Sequence, residues 1–278
     1  MRRTFTLASI PLIAACTPPE DAPESISEPM VALFTGFDQD IGPVKTATLA
    51  LEAALSQLDL TGDLNDRVYT VPLLIPETLG TLTFPEGTDG TEQVPVAVAG
   101  QSAYPLTANI ATVSRQSQVC IESNSTVWYE RRFLSEEACF TDYTCDLLKT
   151  SNAVHKKKLI IDIWYELLKD YRTFTLDDGR AGMIARSWTD QKWQGVSGSN
   201  ELAMSFALEV WLTNSNNPGL TDRFYATWSG GELGVDDGFY ANIVKLGMDE
   251  GYQNADSFIS GDTDCGVQPD ESDRPESL

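Results

Sequence analysis

The residue types that could do chemistry in this 278-residue chain are few. There is one histidine, His155, and it stands beside Lys156, Lys157 and Lys158. A single histidine excludes multi-histidine metal sites and paired-histidine catalysis. Carboxylates occur side by side at Asp177-Asp178, Asp236-Asp237 and Asp249-Glu250, but adjacent residues on one element do not face each other and make poor acid–base pairs. The first two pairs read as a turn and a helix cap. No G-x-S-x-G elbow, Walker loop or G-x-G-x-x-G is present. "DLTGDLND" (59–66) gathers acids around a glycine without the spacing of an EF-hand. These residues point to no catalytic site, no metal and no cofactor.

Cysteines and tryptophans carry more. Cys120, Cys139, Cys145 and Cys265 are even in number, which in an exported chain suggests two disulfides. Of the three pairings, Cys120–Cys139 with Cys145–Cys265 is preferred, and the local pair Cys139–Cys145 is the rival. All six tryptophans fall between residues 128 and 228. Trp164, Trp188, Trp211 and Trp228 are the candidate ligand-binding residues, since cavities for apolar ligands are lined by aromatic side chains. Plain core packing is the competing explanation.

The fifth cysteine, Cys16, follows a different logic. Met1-Arg2-Arg3 is positive, Thr4 to Ala15 is uncharged, and the run is far shorter than the roughly 20 residues of a membrane-spanning helix. These features read as a secretory signal over residues 1–15. Its end, Ile13-Ala14-Ala15-Cys16, resembles the lipobox of bacterial lipoproteins. The resemblance implies cleavage before Cys16, acylation of that cysteine and attachment to a membrane through the acyl chains. In that family an aspartate after the cysteine favours the inner membrane; Thr17 therefore implies the outer membrane. "TPPEDAPESISEPM" (17–30) is rich in Pro, Ser and Glu and reads as a disordered tether over 16–30.

The formal net charge is −22, and loss of Arg2 and Arg3 with the signal deepens it to −24. Such a surface argues against nucleic acid, whose binding needs neutralising Lys and Arg. It equally argues against adhesion to anionic lipid headgroups, which leaves membrane attachment to the acyl chains.

The elements that must position these residues follow from periodicity. Val44, Ala47, Leu51, Leu55 and Leu58 recur at helical spacing. Extended runs are expected at 67–75, 80–84 and 93–99, with Pro72 and Pro95 at edges or bulges. "ANIATVSRQSQVCIE" and "TVWYERRFL" suggest two strands around Asn124-Ser125. Ile160, Ile163, Trp164, Leu167 and Tyr171 suggest a helix over 151–171, with His155 exposed on it and the three lysines in a solvated first turn. Asp178-Gly179 marks a hairpin. "ELAMSFALEVWL" alternates, with Leu202, Met204, Phe206, Leu208, Val210 and Leu212 on one face and Glu209 and Trp211 on the other. Residues 236–259 read as a closing helix with a stripe of Phe239, Ile243, Leu246 and Tyr252.

The expected architecture is α+β: an antiparallel sheet, curled towards a barrel, packed by a central helix and a long C-terminal helix. Residues 31–118 form a β-rich region, 119–260 an α+β core, and 261–278 an acidic tail. Folds that pair a sheet with a long terminal helix often enclose a ligand cavity. The functional expectation is a non-enzymatic envelope lipoprotein that binds a hydrophobic or amphiphilic ligand or a protein partner. A structural envelope protein, and a hydrolase with dispersed carboxylates, are the alternatives.

Overall fold

A computed structural model describes residues 20–142, 145–198 and 200–263. Cys16, the signal and Cys265 lie outside the described residues. The strands are β1 (Glu20–Asp21), β2 (Val68–Thr70), β3 (Val94–Ser102), β4 (Thr126–Phe133), β5 (Leu147–Lys158), β6 (Ile161–Thr175), β7 (Ala181–Trp188), β8 (Trp193–Gln194), β9 (Glu201–Leu202), β10 (Met204–Thr213) and β11 (Thr221–Gly230). The helices are α1 (Glu24–Thr35), α2 (Ile41–Leu55), α3 (Leu106–Val113), α4 (Glu137–Thr141) and α5 (Asp237–Ser260). The main sheet runs β1-β2-β3-β11-β10-β7-β6-β5-β4, antiparallel except for the β1–β2 pair, and its two edges do not join. The fold is the expected α+β class with a long C-terminal helix, and the sheet stays open.

Each face of the sheet buries its own layer. Phe206, Leu208, Val210 and Leu212 of β10 and Phe224, Ala226 and Trp228 of β11 meet α1 and α2. The alternation read from the sequence thus fixes this face. Phe34 of α1 packs edge-on to Trp228, with ring centroids 5.4 Å apart. On the opposite face, Val96 and Val98 of β3 meet Ala241 and Met248 of α5, and Leu106 and Ile110 of α3 cover Tyr171 and Trp211.

Several expectations need correction. The central helix is absent: residues 147–175 form the β5–β6 hairpin. Its apolar residues also fit period two, with Ile161, Ile163 and Tyr165 in one buried cluster. The hairpin turns at Leu159-Ile160, where Leu159 takes a left-handed φ of 57°, so no glycine or asparagine marks it. His155 is therefore not an exposed helix residue. It is buried, with Nε2 2.7 Å from Asp162 Oδ1. Residues 31–118 are not β-rich either; α1, α2 and α3 dominate them, and 80–84 holds no strand. The "ANIATVSRQSQVCIE" strand is α3 followed by a loop. The tether expectation fails from Glu24 onward, because Ile26 and Met30 begin the buried stripe of α1 that Leu33 and Phe34 continue. Leu202 leaves the stripe of its neighbours: the chain breaks at Ala203, and Leu202 joins the α5 side.

In α5 the buried positions are Ala241, Lys245 and Met248, whereas Phe239 and Leu246 are exposed. Asp236 caps the helix by accepting from the Phe239 N–H at 2.9 Å. A disulfide joins Cys139 and Cys145, the local pair that was the rival expectation. The single turn of α4 doubles the chain back so that the Cys145 N–H donates to the Cys139 carbonyl at 3.1 Å.

Candidate functional site

Between the sheet and α5 lies a cavity in two contiguous lobes that share Glu122, Tyr225, Gly247 and Met248. The larger, about 160 Å³, is walled by Ile161, Ile163 and Tyr165 of β6, Leu202, and Val244 and Met248 of α5. The smaller, about 80 Å³, is walled by Lys169 and Tyr171 of β6, Glu209 and Trp211 of β10, Tyr225 of β11 and Val113 of α3. A cavity of about 150 Å³ admits a benzene ring, so the larger lobe has room for a compact apolar body.

The lining follows from the pleat. Alternate residues of β6 send Ile161, Ile163, Tyr165, Lys169 and Tyr171 to the α5 side. Glu209 and Tyr225 are direct cross-strand partners. Lys169 reaches Glu209 across β7, whose residues on that face, Ala185 and Ser187, are small. Gly247 thins the opposite wall: a Cβ there would lie 3.3 Å from the Ser123 Cβ, so glycine lets the loop 118–125 close against α5. That loop forms the rim. Glu122 pairs with Lys156 at 3.3 Å, the Asn124 N–H donates to Glu250 at 3.1 Å, and Asn254 donates to the Glu122 carbonyl at 2.6 Å. Lys156 and Lys158 are thus wall residues rather than a solvated helical turn.

The polar groups inside divide into two kinds. Lys169 and Glu209 form a buried ion pair. Burial is the largest single influence on the Lys169 ammonium and lowers it, but Glu209, Tyr171, Tyr129 and Glu122 together outweigh it and hold Lys169 above the ordinary lysine range. Burial lifts Glu209 above the ordinary carboxylate range against the pull of Lys169. Tyr165 and Tyr225 are pushed well above the ordinary phenol range by burial, so both remain protonated. Both side chains line the larger lobe, as does Tyr240, whose hydroxyl shares a hydrogen bond with Ser229 at 2.9 Å.

The four candidate tryptophans do not converge. Trp211 lines the smaller lobe. Trp228 and Trp188 pack on the α1 side of the sheet, and the Trp228 indole N–H donates to the Pro72 carbonyl at 2.7 Å. Trp164 stacks on His155, with centroids 4.4 Å apart. Lys169 was not singled out by the sequence. Glu209 and Trp211 were separable from the core stripe there, and that proved the one legible signal of the cavity. The two carboxylates lining it, Glu122 and Glu209, are each held by a lysine. No group of three His, Cys, Asp or Glu side chains among the described residues could hold a metal, and Asp59 in the "DLTGDLND" stretch is occupied by Thr61.

Fold and cavity together define an open antiparallel sheet between two helical layers, hollow on the α5 side. No protein-family model matches the chain, and no curated protein matches it. Among solved structures it is similar to a fragment of a STAR-related lipid transfer protein from Xanthomonas axonopodis, over 60% of this chain and 85% of that one, at 6% identity and a TM-score of 0.42. It is also similar to a conserved protein from Geobacillus kaustophilus, over 59% of this chain and 93% of that one, at 12% identity and a TM-score of 0.36.

Proposed function

We propose that this protein is a non-catalytic binding protein that holds a small amphiphilic molecule between its sheet and α5. The observation that carries this reading is the pairing of an apolar lobe with a contiguous polar one. Ligand sites combine apolar walls with a few fixed polar groups. An apolar body fills the space between Ile161, Ile163, Leu202 and Met248, and the polar end meets Lys169, Glu209 and Tyr225. Glu250 and Asn254 tie loop 118–125 to α5, so entry requires that loop to part from the helix.

The same proposal places the protein on a membrane, most simply the outer membrane, through acyl chains on Cys16. The Ile13-Ala14-Ala15-Cys16 sequence and Thr17 support it. Two measurements test the two parts. Solvent extraction of the purified full chain, followed by mass spectrometry, is expected to release an amphiphile, and adding it back is expected to shift tryptophan emission in the wild type but not in Trp211→Phe. An empty extract together with unchanged emission for every amphiphile added contradicts the binding reading. Cys16→Ser is expected to move the protein from the membrane to the soluble fraction; unchanged membrane association contradicts the anchor.

A further inference from the structure

Arg131, on β4, is 2% exposed and makes no contact ion pair among the described residues, with Glu122 and Glu209 acting on it only at longer range. Its Nε donates to Asn152 Oδ1 at 2.8 Å, and its Nη2 donates to the Tyr129 hydroxyl at 3.1 Å and the Tyr171 hydroxyl at 2.6 Å. Its Nη1 donates to the Val113 carbonyl. Every partner is neutral. Leaving a buried charge without a counter-charge is costly, of the order of several kcal/mol even after relaxation. Two of the four partners, Val113 and Tyr171, are wall residues of the smaller lobe.

The other charges around that lobe cancel in pairs. Lys169 is matched by Glu209, Glu122 by Lys156, and Arg223 by Asp256 at 2.7 Å. One positive charge, that of Arg131, is left over. The neighbouring groups are also arranged to donate. Lys169 has three N–H bonds and spends one on Glu209. Tyr171 accepts from Arg131, which leaves its own proton to give. Tyr225, beside Glu209, is a protonated phenol that lines both lobes. Glu122 and Glu209 are the opposing groups, and Lys156 and Lys169 already neutralise them.

We infer that the smaller lobe is a head-group pocket for a monoanion, and that the ligand is a carboxylate amphiphile whose short alkyl or aryl body occupies the larger lobe. This rests on the binding reading above and adds the sign of the ligand's charge. The ligand's carboxylate supplies the counter-charge that Arg131 lacks and accepts from Lys169 and Tyr171. A neutral head would leave the excess charge in place, and a cationic head would add to it.

The test is a head-group series of one chain length on the full chain: octanoate, octan-1-ol and octylamine, titrated by calorimetry at neutral pH. Hydrogen bonds to a charged group are stronger than those to a neutral one, so octanoate is expected to bind about tenfold or more tighter than octan-1-ol, with octylamine weakest. Arg131→Gln is expected to abolish the preference for octanoate over octan-1-ol while leaving octan-1-ol bound. If octan-1-ol or octylamine binds as tightly as octanoate, the charge assignment is overturned and the binding reading stands. Binding by none of the three overturns the binding reading itself. An undiminished octanoate preference in folded Arg131→Gln removes Arg131 from its role. The wild-type series decides the charge of the ligand even if that variant does not fold.

Discussion

Lys169 and Glu209 are joined across a strand that offers only Ala185 and Ser187 beneath them, with the cavity on their open side. A buried ion pair is weak evidence for stability, but breaking one half leaves an uncompensated charge. Lys169→Met is therefore expected to destabilise the fold by about 3–5 kcal/mol, and Lys169→Met with Glu209→Leu to recover most of that loss in urea denaturation. Equal losses in the single and double variants would refute the coupling. Asp38 makes a comparable link on the other face, where it accepts from Arg186 at 2.7 Å. Burial raises its carboxyl, but hydrogen bonds from Thr81 and Arg186 outweigh this and hold it below the ordinary range. A depressed carboxyl stabilises the fold above the unfolded-state value near 4. That contribution is lost as pH falls through the lower folded-state value. Asp38→Asn is accordingly expected to lower stability at neutral pH and to flatten its fall between about pH 4 and pH 2. An acid limb as steep as the wild type's would count against this link. At this scale the sequence showed Glu209 and Trp211 off the core stripe, but nothing in it paired Lys169 with Glu209, because the pairing depends on strand order.

The β5–β6 hairpin shows why element type was partly hidden. Ile160, Ile163, Trp164, Leu167 and Tyr171 satisfy a helical period, and a strand period runs through the same residues. Only the turn could have decided, and it is Leu159-Ile160 rather than Asn-Gly or Asp-Gly. Leu159 is 74% exposed and holds φ 57°, so its side chain contributes little burial to offset a left-handed backbone. That conformation costs roughly 1–2 kcal/mol for a non-glycine residue. Set against the greater unfolded-state freedom of glycine, Leu159→Gly is expected to gain roughly 0.5–1 kcal/mol. A loss of stability would mean that the turn relaxes in solution. The β10 stripe, the Asp178-Gly179 hairpin and the α5 cap were legible because each rests on contacts within a few residues. α1 was hidden for a compositional reason: Pro, Ser and Glu surround Ile26 and Met30, and the stripe emerges only with Leu33 and Phe34. Phe34→Ala is expected to cost about 3–5 kcal/mol, whereas a disordered tether extending to α1 would make it neutral.

At the scale of the whole molecule, one sheet separates two differently packed layers. The α1–α2 face is a packed core, built around Phe34, Phe206 and Trp228. The α5 face is hollow, and its closing residues Glu122, Asn124, Glu250 and Asn254 are polar contacts between a loop and a helix. Polar, locally held segments are the ones that open first. The strongly negative net charge bears on neither face directly. The sequence anticipated a sheet with a closing helix, but could not show the hollow, since lobes are volumes left between elements far apart in the chain. Amide hydrogen exchange of the full chain, with and without saturating octanoate, tests the central claim most directly. Binding between sheet and helix predicts slowed exchange in α5 and in loop 118–125, with α1 and α2 unchanged. Saturation that leaves α5 and the loop unchanged, or that protects α1 and α2 instead, would contradict it.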